Sequence, residues 1–108
     1  MRAITKQMEY KLMTAEKVVN EQRLLALFEA VKSIYPAHFI KERSEIVINV
    51  PHTDVDISVW SNADMKIHIE TGDGKRFLEP TIRVSTIWEA AQVINYWCKK
   101  YHDSGVKI

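Results

Sequence analysis

The sequence predicts an α+β fold in the order α-β-β-β-β-α, with an N-terminal and a C-terminal helix covering one face of a four-stranded antiparallel meander. Three observations predict it. Segments at both ends of the chain carry apolar residues at three- and four-residue steps. Four runs between them alternate apolar and polar residues. Short stretches of turn-forming residues separate those runs.

The first helix is expected from Thr14 to Tyr35, where Val18, Leu24, Leu25, Phe28, Val31 and Tyr35 mark an apolar stripe and Pro36 forbids continuation. Before it, Ile4, Met8 and Leu12 suit a helix, whereas adding Tyr10 suits an alternating strand; the helical reading is preferred. After a polar connection around Lys41 to Ser44 come the strands, Glu45 to Pro51, Asp54 to Trp60, Asp64 to Thr71 and Arg76 to Val84. Their apolar sides are Ile46, Ile48 and Val50; Val55, Ile57 and Val59; Met65, Ile67 and Ile69; and Leu78, Ile82 and Val84. Pro51 to Asp54, Ser61 to Ala63 and Gly72-Asp73-Gly74 are the turns, the last a strong hairpin signal. Thr86 and Glu89 have capping-box spacing, so the final helix starts there and buries Ile87, Ala90, Ala91, Ile94, Trp97, Cys98 and Tyr101.

A chain of 108 residues withdraws roughly two-thirds of its unfolded surface from water, enough for one core, and residues 1–108 read as a single domain. Fifteen Lys plus Arg against 14 Asp plus Glu leave a net charge of +1, which supplies no bulk attraction to phosphate backbones or anionic membranes. No stretch approaches the about 18 apolar residues that a membrane helix needs. The single cysteine, Cys98, and the lack of a signal-peptide pattern point to a reducing, cytoplasmic setting.

Because side chains alternate along strands, turning all four apolar rows toward the helices restricts the register to a few offsets. The most natural one uses turns at His52-Thr53, Ser61 to Ala63 and Asp73-Gly74. It places Asn49, Asp56, His68 and Glu79 in one row of the outer face, Val47, Ser58, Lys66 and Thr81 in the next, and Glu45, Trp60, Asp64 and Arg83 in a third. Pro51, Asp54, Glu70 and Phe77 form a fourth. Asp64 is then expected to meet Arg83, and His68 to lie between two carboxylates.

An imidazole among carboxylates can ligate a divalent metal or act as a base, so Asp56, His68 and Glu79 are candidate ligands. Solvated sheet faces carry the same mixture without function, and a flat face lacks convergent geometry. Asp54, Asp56, Asp64 and Lys66 are loosely similar to the acidic-plus-Lys signature of metal-dependent nucleases, at a permissive spacing. Cys98, on a buried stripe, reads as a small hydrophobe. His38 and His102 read as solvated. No phosphate loop, Ser elbow or zinc-type Cys pair is present, and no cofactor is implied.

Trp60, Trp88 and Phe77 fall off the apolar stripes, and exposed aromatics are enriched at interface hot spots. The expected role is therefore a non-enzymatic protein-protein interaction module, an accessory subunit or inhibitor that covers a partner's surface. Its contact residues are Trp60, Asp56, His68, Phe77, Arg83 and Lys66. Nucleic-acid binding through the sheet face and the basic residues Lys41, Arg43, Lys75, Arg76, Lys99 and Lys100 is the alternative, weakened by the carboxylates around the aromatics. A metal-dependent hydrolase or nuclease is a second alternative, and an exposed edge strand offers a route to a homodimer.

Overall fold

The computed structural model describes residues 6–62 and 66–103, with side chains over 19–62 and 66–102. Two helices flank an antiparallel sheet: α1 (Lys6–Lys32), β1 (Ala37–Ile40), β2 (Glu45–Asn49), β3 (Asp56–Ser61), β4 (Ile67–Gly72), β5 (Ile82–Val84) and α2 (Ile87–Asp103), with a short 3₁₀ turn Lys41–Arg43 after β1. α1 begins eight residues before the Thr14 start expected from the sequence and stops before Tyr35. Near its end the carbonyl of Val31 accepts from the backbone N–H groups of Ile34 and Tyr35 at 3.0 and 2.9 Å, and Pro36 then prevents another turn.

The sheet has five strands in the order β1-β2-β3-β4-β5, one more than the four expected. The additional strand, β1, has only four residues, and the consecutive Phe39 and Ile40 break the alternation that marks the other strands. Ser44, at φ 47°, turns the chain back so that Phe39 faces Ile46 and Ala37 faces Ile48.

The β2–β3 register is the expected one, with Asn49 opposite Asp56 and Glu45 opposite Trp60. Thr53 stabilises that turn, its Oγ1 donating to Val50 O at 2.9 Å and accepting from Val55 N at 3.0 Å. The next two registers differ from expectation. β3 and β4 close on the pair Ser61 and Ile67, so their connection is residues 62–66 rather than a three-residue turn, and Asp56 faces Gly72 instead of His68. Asp73 Oδ1 accepts from the backbone N–H groups of Lys75 and Arg76 at 3.0 and 3.1 Å. Gly74, at φ 85°, lets the turn centre on Gly74-Lys75 rather than Asp73-Gly74.

The expected strand from Arg76 to Val84 is interrupted. Leu78 N donates to Thr71 O, yet the next pair is Ile69 with Ile82, so Glu79, Pro80 and Thr81 all lie opposite Glu70. Pro80 has no donor for the ladder, which explains why the pairing breaks there. Both slips are by an even number of residues. Every apolar row therefore still faces the helices, and burial alone does not distinguish the two arrangements.

The core lies between that apolar face and the helices, α1 packing on β1, β2 and β3 and α2 on β4 and β5. Ile46, Ile48, Ile57, Val59, Ile67 and Ile69 are fully buried against Leu24, Leu27 and Val31 of α1 and Ile94 and Trp97 of α2. Each such aliphatic side chain contributes about 1.5 to 3 kcal/mol of transfer free energy. Leu25, expected in the stripe, is instead exposed, because Leu24 and Leu27 already occupy the inward face at this helical period. Ile87, also expected inside, sits in the exposed first turn of α2. No helix among the described residues is long and apolar enough to cross a membrane.

Candidate functional site: the uncovered sheet face

The side of the sheet that the helices leave uncovered carries the groups expected to be functional, in a different arrangement. Strand pairing puts Ile40, Glu45, Trp60, His68 and Arg83 in one cross-strand row. His38, Val47, Ser58 and Glu70 form the next, and Asn49, Asp56, Gly72 and Phe77 the third. Trp60 and His68, directly opposed, stack with ring centroids 5.5 Å apart and planes at 14°. His68 is buried and Trp60 half-buried. Asn62 Nδ2 lies 3.4 Å from His68 Nε2, and Asn62 O accepts from Asn20 Nδ2 of α1 at 3.2 Å. One side of the stack is thereby tied to the end of β3 and to α1.

Three carboxylates lie on this face, Glu45 in the row of the stack, Glu70 in the next and Asp56 in the third. Asp56 accepts from Asn49 Nδ2 at 2.5 Å, and Glu45 has the guanidinium of Arg43 at 3.8 Å. Glu70 has no ion-pair partner among the described residues. Partial burial, and then repulsion from Glu45, push its carboxyl above the ordinary glutamate value. A hollow of ≈ 330 Å³ is lined by Arg43, Glu45, Trp60, Ser61, Asn62 and Glu70. A second, of ≈ 350 Å³, is lined in part by Asp56, Ser58, Glu70, Lys75, Arg76 and Phe77. Glu70 is common to both, so the two hollows adjoin along the β3–β4 pair.

The residues expected as contacts separate into three places. Trp60, His68 and Arg83 share one row, and Asp56 and Phe77 border the second hollow. Lys66 is at the mouth of the β3–β4 connection, donating from Nζ to Ser85 Oγ at 2.7 Å. Phe77 and Trp88 are 71% and 69% exposed, as their positions off the apolar stripes suggested. Trp88, on α2, lies off the sheet face.

The His68 row with two carboxylates does not form. Asp56 is opposite Gly72, and Glu79 belongs to the interruption before β5, where it accepts from Tyr101 Oη at 2.6 Å and Lys100 Nζ at 3.1 Å. Tyr101 and Lys100 hold the Glu79 carboxyl below the usual range. Among the described residues no group of three or more His, Cys, Asp or Glu side chains is arranged to hold a metal ion. Asp64, and with it both the Asp64–Arg83 pair and the nuclease-like pattern, lies outside the described residues; Arg83 is opposite His68. Cys98 is buried, and burial pushes its thiol up to about 11, as suits a packing residue rather than a nucleophile.

Sequence reasoning did not single out Glu70, Glu45 or Asn62. All three are polar residues in or beside alternating strands, and their proximity depends on the β3–β4 register, which the alternation does not specify beyond parity. Comparison of the chain with protein-family models, with curated proteins and with solved structures finds no match.

Proposed function

We propose that this chain is a non-enzymatic protein-protein interaction module, an accessory subunit or inhibitor that docks on a partner through the uncovered face of its sheet. The observation that carries this reading is the Trp60–His68 stack, a large aromatic held in a fixed orientation at the wall of a hollow on a face that no described helix covers. A pre-positioned indole loses little conformational entropy on binding, and tryptophan is enriched among residues that dominate interface energies. Groups with acid-base capacity on the face, His38, Glu45, Asp56, His68 and Glu70, are spread over four strands, and they do not converge on one point as a catalytic site requires. The nucleic-acid alternative is disfavoured by Glu45, Asp56 and Glu70, which lie where a phosphate backbone would run. A lone buried cysteine fits a reducing, cytoplasmic setting.

The test is purification of the tagged chain from its native cells, with and without nuclease, alongside Trp60→Ala and Trp88→Ala. The expected result is a stoichiometric protein that survives nuclease, is lost with Trp60→Ala and is retained with Trp88→Ala. Recovery of nucleic acid alone, or equal retention by both variants, overturns the reading. Thermal unfolding of Trp60→Ala must remain cooperative for the comparison to count, and removing the stack is expected to cost about 1 kcal/mol.

A further inference from the structure

We infer that the partner segment is basic, and that the hollow between Glu45, Glu70 and Trp60 receives one of its arginine or lysine side chains, which rests on the interaction role proposed above. Glu70 is the central observation. It is partly withdrawn from water, lines the same hollow as the like charge of Glu45, and forms no ion pair among the described residues, although Arg43 lines that hollow too. A cation placed there relieves that repulsion and supplies the missing hydrogen-bond donors. Trp60 lines the same hollow, and an indole is the aromatic surface that attracts cations most strongly.

The charge layout favours the same occupant. The Glu45 side chain is only 21% exposed, whereas the Arg43 and Arg76 side chains are 65% and 78% exposed. The anionic groups are therefore set into the face while the cations are at its rim on long side chains that can swing aside. Arg43 already stands at the mouth of the hollow, 3.8 Å from Glu45, too far for a hydrogen bond. It marks the site as one that attracts a guanidinium, and an incoming arginine competes with it.

The probe is an acetylated tetra-arginine amide, with the uncharged tetra-citrulline peptide as control, titrated into the full-length isotope-labelled protein and followed by NMR. Saturable shifts are expected at the Trp60 indole N–H and the Glu70 amide, absent with citrulline. Binding is expected to weaken about tenfold in Glu70→Gln and to strengthen in Arg43→Ala, since the competitor is gone. Shifts that map elsewhere, an equal response to citrulline, or unchanged affinity in Glu70→Gln overturn the inference. Its failure is distinguishable from failure of the interaction role: a partner lost with Trp60→Ala but held undiminished by Glu70→Gln leaves a docking face that takes no cation.

Discussion

Tyr101 Oη donates to Glu79 Oε2 at 2.6 Å, fastening the interruption in the last strand to the C-terminal turn of α2. Without ladder bonds at Glu79, Pro80 and Thr81, this contact and the one from Lys100 hold that segment in place. Burial, followed by the carboxylate of Glu79, raises the Tyr101 phenol above its ordinary value, so the hydroxyl stays protonated and donating through neutral pH. Tyr101→Phe is expected to lose about 1 to 2 kcal/mol, measured by urea unfolding, with a lowered midpoint and an unchanged slope. Stability equal to the parent would show that the contact does not hold the strand.

Acid should weaken the fold through Glu79 and strengthen it slightly through Glu70. The carboxyl of Glu79 is depressed in the folded state, so its contribution is present above the unfolded value, about 4.3, and is lost as the pH falls through the lower folded value. Asp73, depressed by the backbone N–H groups of Lys75 and Arg76, acts in the same direction. Glu70 has the opposite sign: its folded value is raised, so its charge opposes folding at neutral pH, and that penalty is relieved as the pH falls through the raised value. Urea midpoints between pH 7 and pH 3 check this. Glu79→Gln is expected to be less stable at pH 7 and to lose less on acidification, whereas Glu70→Gln is expected to be at least as stable as the parent at pH 7.

How far the fold was legible follows from the same strands. Alternation correctly identified the buried sides of β2, β3 and β4, because burying apolar area is the largest driving force for folding and parity is visible in the residues themselves. Glu45–Trp60 and Asn49–Asp56 were legible because the short turn near Thr53 leaves little freedom. His68 was misplaced because a longer connection, 62–66, and three residues opposite Glu70 each preserve parity while moving the partners. The Trp60–His68 stack depends on that offset, so Trp60 and His68 were each recognisable as candidates whereas their pairing was not. β1 escaped notice since Ala37 and His38 carry little pattern, and its place is set by the return of the chain at Ser44.

The N-terminus of α2 gives a prediction with a local origin. Thr86 Oγ1 accepts from Glu89 N at 3.1 Å and lies 3.0 Å from Glu89 Oε1, while Thr86 O accepts from Ala90 N at 3.1 Å. The Glu89 N–H is one of the donors that the first turn cannot pair within the helix, and the Thr86 hydroxyl satisfies it. Thr86→Ala is expected to destabilise by about 1 kcal/mol, and Thr86→Ser by much less, because serine keeps the acceptor. Thermal unfolding of the two variants side by side checks the capping role; equal losses would assign the effect to the methyl group.

Thr71 offers the reverse case, a substitution expected to stabilise. Its side chain is 1% exposed, its register partner is Ile57 on the apolar side of the sheet, and its Oγ1 has no hydrogen-bond partner among the described residues. A buried hydroxyl left unpaired loses its hydration without compensation, whereas a methyl group of similar size does not. Thr71→Val preserves the β-branched shape that suits a strand and removes the orphan oxygen. A gain of about 1 kcal/mol is expected from urea unfolding. A loss of similar size would mean that the hydroxyl is satisfied in solution, with a buried water as the first partner to seek.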